Sequence, residues 1–376
     1  MSALTLGTVM QGGDVGSVGA IDPRKLNRHT FWCGQSGSGK TYSLGVLLEQ
    51  ILLHTSLPLL ILDPNADYVH LGTPREGADA AEASALAGLD IRVRSAGGRS
   101  GSDPLRVRYA EMVALARAAV LRLEPLRDAA EYHAALEVLA ESTQAPNRAT
   151  LVTALLESDD PARQLLGLRL DNLGILDWDV WAWQNRSAED ELDDRPDAVV
   201  LDLSACAQVE EPAAVSLAVL DHLWRQREQR RPITIVIDEA HNVCPASPDT
   251  PLQRALVDRV IQIAAEGRKY GLWLVLSTQR PNKIHPQVLT QCDNLGLLRM
   301  NSPADLAEVA SVFGFAPRDL LDASPSFAQG QVLLAGGFAA EPAVVQMRDR
   351  ICLEGGADVA VPLSPRNPSA RLREPT

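Results

Sequence analysis

Long apolar runs are missing from this chain. No stretch approaches the ~18 consecutive apolar residues of a membrane-spanning helix, and Met1 to Gly19 has neither the charged start nor the apolar core of a secretion signal. The expectation is a cytoplasmic protein with no membrane partner. Cysteine is sparse too: five residues, at 33, 206, 244, 292 and 352, without a C-x-x-C pair. That scatter excludes a disulfide framework or a thiolate metal site and suits small buried hydrophobes in a reducing compartment. Nor is there an excess of positive charge. Lys and Arg total 35 against 48 Asp and Glu, a formal net charge of −13, which argues against a surface coated in basic residues for nucleic acid. No internal repeat is present. At 376 residues and 46% hydrophobic, the chain can still bury a sizeable core in one large or two modest domains.

What is present begins with Gly34-Gln35-Ser36-Gly37-Ser38-Gly39-Lys40-Thr41, which fits G-x-x-x-x-G-K-[ST]. The glycines let the backbone wrap a polyphosphate with its N–H groups, Lys40 reaches the β/γ-phosphates, and the Thr41 hydroxyl can ligate Mg2+. Context supports the match. Thr30 to Cys33 reads as the preceding strand, and Thr41 to His54, with Tyr42 in its first turn, reads as a helix aiming its N-terminus at the same anion. The motif implies a nucleoside triphosphate site.

A second element matches it. Ile233 to Ile237 is a β-branched run of the kind buried on both faces of a parallel sheet, and it ends in Asp238-Glu239-Ala240-His241. An Asp at that tip can hold Mg2+ beside Thr41, and the adjacent Glu can polarise a water for attack on the γ-phosphate. This pair implies hydrolysis and not binding alone. A third strand, Leu272 to Thr278, ends in Gln279-Arg280-Pro281, which places the Gln279 amide to sense the γ-phosphate or orient the water. His241 has no second His or Cys at ligand spacing, so its work is structural or couples the site to a neighbouring element.

Elsewhere the chain alternates strand and helix at its beginning and end, with a helical region between. Leu57 to Leu62 is a strand ending in the polar turn Asp63-Pro64-Asn65-Ala66-Asp67-Tyr68, at a sheet edge where ligands collect. Met112, Leu115, Ala119 and Leu123 share one helical face, as do Ala135, Leu136, Val138 and Leu139; a helical insertion is expected over about 106–190. Acidic Ala188 to Asp197 reads as a linker, Ala198 to Leu203 as a returning strand, and Ala213 to Gln229 as a helix. Gln331 to Ala335 and Ala343 to Met347 read as antiparallel strands. The division expected is an N-terminal arm over 1–20, an ATPase domain over 21–350 and a tail over 351–376, extended by Pro362, Pro365 and Pro368. Arginines gather at 92, 94, 99, 106 and 108 and again at 225, 227, 230 and 231. Each cluster reads either as a local path for DNA phosphates or as solvated loop and helix-end charge.

Taken together, Arg28-His29, Gly34 to Thr41, Asp63 to Tyr68, Val236 to Asn242, Glu266 to Gly271 and Ser277 to Pro281 resemble the ATPase core of HerA-type proteins, in the HerA/FtsK group of P-loop motors. The resemblance implies an α/β, RecA-like P-loop NTPase with a mostly parallel central sheet. It implies a homohexameric ring that hydrolyses ATP with Mg2+ between subunits and translocates double-stranded DNA, paired with a nuclease or other effector in DNA processing or antiviral defence. Carried over by position, Gly34 to Tyr42 cradle the nucleotide, Thr41 and Asp238 hold the metal, Glu239 is the general base and Gln279 the sensor. Arg268, with Arg299 second, is the candidate for the charge a neighbouring subunit supplies. Two departures stand out. The residues before Gly34 are too few for the small β-barrel that family members usually carry, which leaves Met1 to Gly19 as a strand or arm added to a neighbour, or as disorder. Asp67 stands where relatives commonly have Glu. Two alternatives stay open: a coupling-type motor for DNA or protein transfer, and a scaffold ATPase whose ring assembles an effector.

Overall fold

Burial on both faces organises the centre of the molecule. The computed structural model describes residues 3–98, 102–140 and 148–356. β1 (Leu4–Gln11), β2 (Val18–Ile21), β3 (His29–Cys33), β4 (Leu59–Asp63), β5 (Ile91–Ser95), β6 (Asp103–Pro104), β7 (Ala198–Asp202), β8 (Ile233–Ile237), β9 (Leu272–Thr278), β10 (Cys292–Leu297), β11 (Gln331–Gly336) and β12 (Ala343–Met347) form one 12-stranded sheet. Its order is β2-β1-β12-β11-β10-β3-β9-β8-β4-β7-β5-β6. From β10 to β6 every neighbouring pair is parallel, and β11, β12, β1 and β2 extend the sheet antiparallel. The mostly parallel α/β fold expected of a P-loop NTPase is therefore present.

Side chains alternate between two cores, as the two-residue period of a strand requires. Leu60 and Leu62 of β4 and Ile235 and Ile237 of β8 face one core, while Leu59, Ile61 and Val236 face the other. The second core is covered by α1 (Lys40–His54) and α2 (Ala80–Ala87). The first is covered by α3 (Ala114–Val120), α4 (Ala129–Ala140), α5 (Arg148–Leu156), α6 (Pro161–Leu173), α7 (Ala188–Asp194), α8 (Glu211–Arg225) and α9 (Pro251–Glu266).

Three local readings change. Residues 4–21 are strands of the chain's own sheet, not an arm: β1 pairs with β12 through Gly7↔Met347 and Val9↔Val345, and Leu4 and Leu6 are fully buried. The acidic stretch expected as a linker is α7, started by a Ser187–Asp190 capping box. Its carboxylates hold three arginines of the first cluster. Arg92 lies 2.6 Å from Glu191 and 2.7 Å from Asp194, Arg94 lies 2.8 Å from Glu191, and Arg108 lies 2.5 Å from Asp190; Arg99 lies outside the described residues. At the other end, Ile351 and Cys352 are buried and donate their amides to Glu49, so the expected tail begins inside the fold; residues 357–376 lie outside the described residues.

Candidate nucleotide site

The carboxyl ends of β3, β4, β8 and β9 lie side by side, the edge where ligands bind in such sheets. Loop 34–39 leaves β3 and turns into α1 at Gly39, whose φ of +89° falls in the left-handed region that glycine alone adopts freely. A side chain at Gly39 would also meet the amide of Gly330 at 3.0 Å. The loop therefore has no room for any other residue there.

Lys40 turns inward onto the tip of β8. Its Nζ donates to Asp238 Oδ1 at 2.8 Å and to Ser277 Oγ at 2.9 Å, and lies 3.2 Å from Glu239 Oε1. Burial alone would lower the pKa of this amine, but the two carboxylates outweigh it and hold the pKa above its ordinary value. Glu239 sits at φ +43°, a left-handed conformation that costs a non-glycine residue about 1–3 kcal/mol and concentrates at functional sites. Burial pushes its pKa up, yet His241, Lys40 and Gln279 more than compensate and leave it at about 2. Gln279 donates to Glu239 Oε1 at 2.9 Å, and His241 Nδ1 lies 3.2 Å from Glu239 Oε2 and 3.0 Å from Thr278 Oγ1.

Beside them, Asp63, Asp67 and Asp238 each offer a carboxylate oxygen within 4.8 Å of the others. Thr41 Oγ1 donates to Asp67 Oδ2 at 3.4 Å, and buried Asp238 Oδ2 has no hydrogen-bond partner. Burial raises the pKa of Asp63 to about 7 against the pull of the Tyr68 and Asp67 amides. Burial, with Asp238 nearby, raises that of Asp67 as well. Crowded acids with a spare oxygen beside a hydroxyl suit a hard divalent cation, which would relieve their repulsion.

Lys40, Thr41, Asp238, Glu239 and Gln279 are thus brought together. A cavity of about 570 Å³ adjoins them, lined by Gln35, Ser36, Gly37, Gly39 and Tyr42 on its cradle side, a size typical of a small-molecule site. Arg299 belongs to this cradle too, donating from Nη2 to the Gly37 carbonyl at 3.1 Å. Arg268 does not. It follows α9 ahead of the amino end of β9, a seven-residue strand away from the P-loop edge, or roughly 20 Å, and it is paired with Asp293, which also lies 3.7 Å from Arg28. Sequence reasoning missed the far wall of the cavity, where Gln329, Gln346, Asp349 and Glu354 stand. No motif marks these residues, and only the pairing of β11 with β12 carries them to the P-loop.

The family model described as the central domain of the helicase HerA matches residues 4–160. A probable helicase of Methanocaldococcus jannaschii is 30% identical over 150 residues, 39% of this chain and 28% of that protein. The DNA double-strand break repair helicase HerA of Pyrococcus furiosus is 29% identical over 126 residues, 34% of this chain and 22% of that protein. The chain thus spans about a quarter of the length of these relatives. Among solved structures, VirB4 of Thermoanaerobacter pseudethanolicus superposes with a TM-score of 0.61 at 17% identity, covering 92% of this chain and 96% of that one; at that identity the likeness is one of fold.

Proposed function

Since residues 4–160 of the chain match the model of the HerA helicase central domain, we propose that the protein is a Mg2+-dependent ATPase that works as a ring, a homohexamer, to translocate or remodel double-stranded DNA. Its setting is DNA processing or defence, with a nuclease or other effector as partner. The observation that carries this reading is the seating of Lys40 on Asp238, with Glu239 and Gln279 in hydrogen-bond contact beside it. Lys40 and the amides of 34–41 take the phosphates, and Thr41 and Asp238 hold the metal with Asp67 close by. Bound Mg2+ would supply charge neutralisation to the triphosphate. Glu239 is the general base, already ionised at neutral pH, and Gln279 orients the water.

Arg299 is the cation on the chain's own loop. Arg268, at the opposite edge of the sheet, serves a neighbour's site and not its own. A scaffold ATPase is the second reading, favoured by the acidic balance and by the engagement of Arg92, Arg94 and Arg108 with α7 carboxylates. ATP hydrolysis with and without linear double-stranded DNA, on protein of mass fixed by light scattering, separates the two. A hexamer stimulated by DNA supports the motor; a ring with the same rate in both conditions supports the scaffold and refutes DNA translocation.

A further inference from the structure

The cradle accounts for only one side of the cavity. Following the wall outward from the P-loop, the Gly330 amide donates to the Ser38 carbonyl at 2.9 Å, and the Met347 amide donates to the Gly330 carbonyl at 3.0 Å. The Arg350 amide then donates to the Tyr42 hydroxyl at 2.8 Å, on the first turn of α1. Beyond that point the chain crosses back to the metal side, where the Gly355 amide donates to the Asp67 carbonyl at 3.2 Å. The β12 strand and the residues after it thus close a ring around the cavity mouth opposite the phosphate cradle.

This crossing is held from beneath. Arg350 is 1% exposed, with its Nε 3.4 Å from Glu49 Oε1 on α1, and Gly45 leaves it room, since a Cβ there would lie 2.6 Å from the guanidinium carbon. Glu49 Oε2 and Oε1 accept the Ile351 and Cys352 amides at 2.8 and 2.9 Å. A buried ion pair and two amide bonds fix the backbone on which Asp349 and Glu354 stand.

Both residues line the cavity. A polyphosphate repels carboxylates, so the part of the ligand that meets them must be one that donates hydrogen bonds. On a nucleotide whose phosphates lie at 34–41 the donors are the ribose hydroxyls and the exocyclic amine of the base, and the ribose adjoins the phosphates, so its hydroxyls are the nearer donors to a carboxylate. The carboxylates have capacity to accept: the Asp349 side chain is 87% exposed with one partner, Arg75, at 3.1 Å, and Glu354 has Arg350 at 3.8 Å.

Resting on the ATPase reading above, we propose that Asp349 and Glu354 bind the ribose hydroxyls and make this a ribonucleotide-selective site. The test is calorimetric titration of the full chain, with Mg2+, by ATP, 2′-deoxy-ATP, 3′-deoxy-ATP and inorganic tripolyphosphate. Wild type is expected to bind ATP about tenfold or more tighter than at least one of the deoxy analogues, as loss of a hydrogen bond to a charged group predicts. Asp349→Asn combined with Glu354→Gln, both at exposed positions, is expected to erase that preference while tripolyphosphate binds at least as tightly. Equal wild-type affinity for ATP and both deoxy analogues, or a preference unchanged in the double variant, overturns the ribose assignment and leaves the phosphate site standing. Failure of wild type to bind either ATP or tripolyphosphate overturns the ATPase reading, and this assignment with it.

Discussion

Replacing Lys40 by alanine should cost this protein stability as well as nucleotide binding. The ammonium sits 2.8 Å from Asp238 and 3.2 Å from Glu239, with the Asp238 side chain 0% and that of Lys40 5% exposed. At an effective dielectric of ~20 the nearer pair alone is worth roughly 6 kcal/mol of Coulomb attraction, much of it offset by desolvation. Removing one partner leaves the desolvation of the other uncompensated, a loss of about 3–5 kcal/mol. For a chain of 376 residues that is a fall in Tm of roughly 4–6 °C. Without its cation, the Asp238 carboxylate is a buried charge with no counter-ion. Lys40→Ala/Asp238→Asn, which removes the buried charge nearest the lost ammonium, should recover much of the loss without regaining ATP binding. Denaturant unfolding followed by circular dichroism decides the matter. A Lys40→Ala variant as stable as wild type refutes the buried-pair argument.

The remaining expectations concern the base, the trans arginine and the crossing. Glu239→Gln should bind ATP yet hydrolyse it about 10²–10⁴-fold more slowly; a near-normal single-turnover rate would assign the base elsewhere. Arg268→Ala should be inactive alone but regain activity when mixed with Lys40→Ala subunits, because each supplies what the other lacks at shared sites; a mixture as inactive as its components would place Arg268 outside the chemistry. Glu49→Ala strands the Arg350 guanidinium and two buried amides and should lower stability by about 3–5 kcal/mol, measured by denaturant unfolding, while Glu49→Gln, which keeps a carbonyl acceptor, should lose less.

The phosphate half of the site was legible because its chemistry is local. Backbone wrapping needs glycines at fixed spacing within one loop, and a buried strand ending in two acids announces itself in seven residues. What stayed hidden depends on pairing over long distances in sequence. β1 and β2 carry glycines and exposed positions that read as an arm, and their place is fixed only by β12, more than three hundred residues on. The run Ala188–Asp194 reads as a solvated linker until Arg92, Arg94 and Arg186 are seen to neutralise it; Glu191 is held at about 2, against the upward push of burial, by those three guanidinium groups. The same pairing removes Arg92, Arg94 and Arg108 from the supply of free cations that composition had left open for DNA.

The contacts of Glu239 also bear on the hydrolysis proposed above. With Lys40, His241 and Gln279 all drawing on its carboxylate, Glu239 has a pKa near 2, which makes it fully ionised but a weak proton acceptor. A triphosphate in the cradle takes Lys40 to its β- and γ-oxygens, and that transfer withdraws one of the three partners from the carboxylate. Loss of a cation at 3.2 Å would raise the pKa of Glu239 toward the ordinary carboxylate range, so the base proposed there would grow stronger on nucleotide binding. Asp238 loses its partner in the same step, and its second oxygen is already unpaired. A divalent cation held by Thr41 and Asp238 would offset the charge left on Asp238. Metal and nucleotide should therefore bind with positive coupling: each removes the charge imbalance that the other creates at the tip of β8.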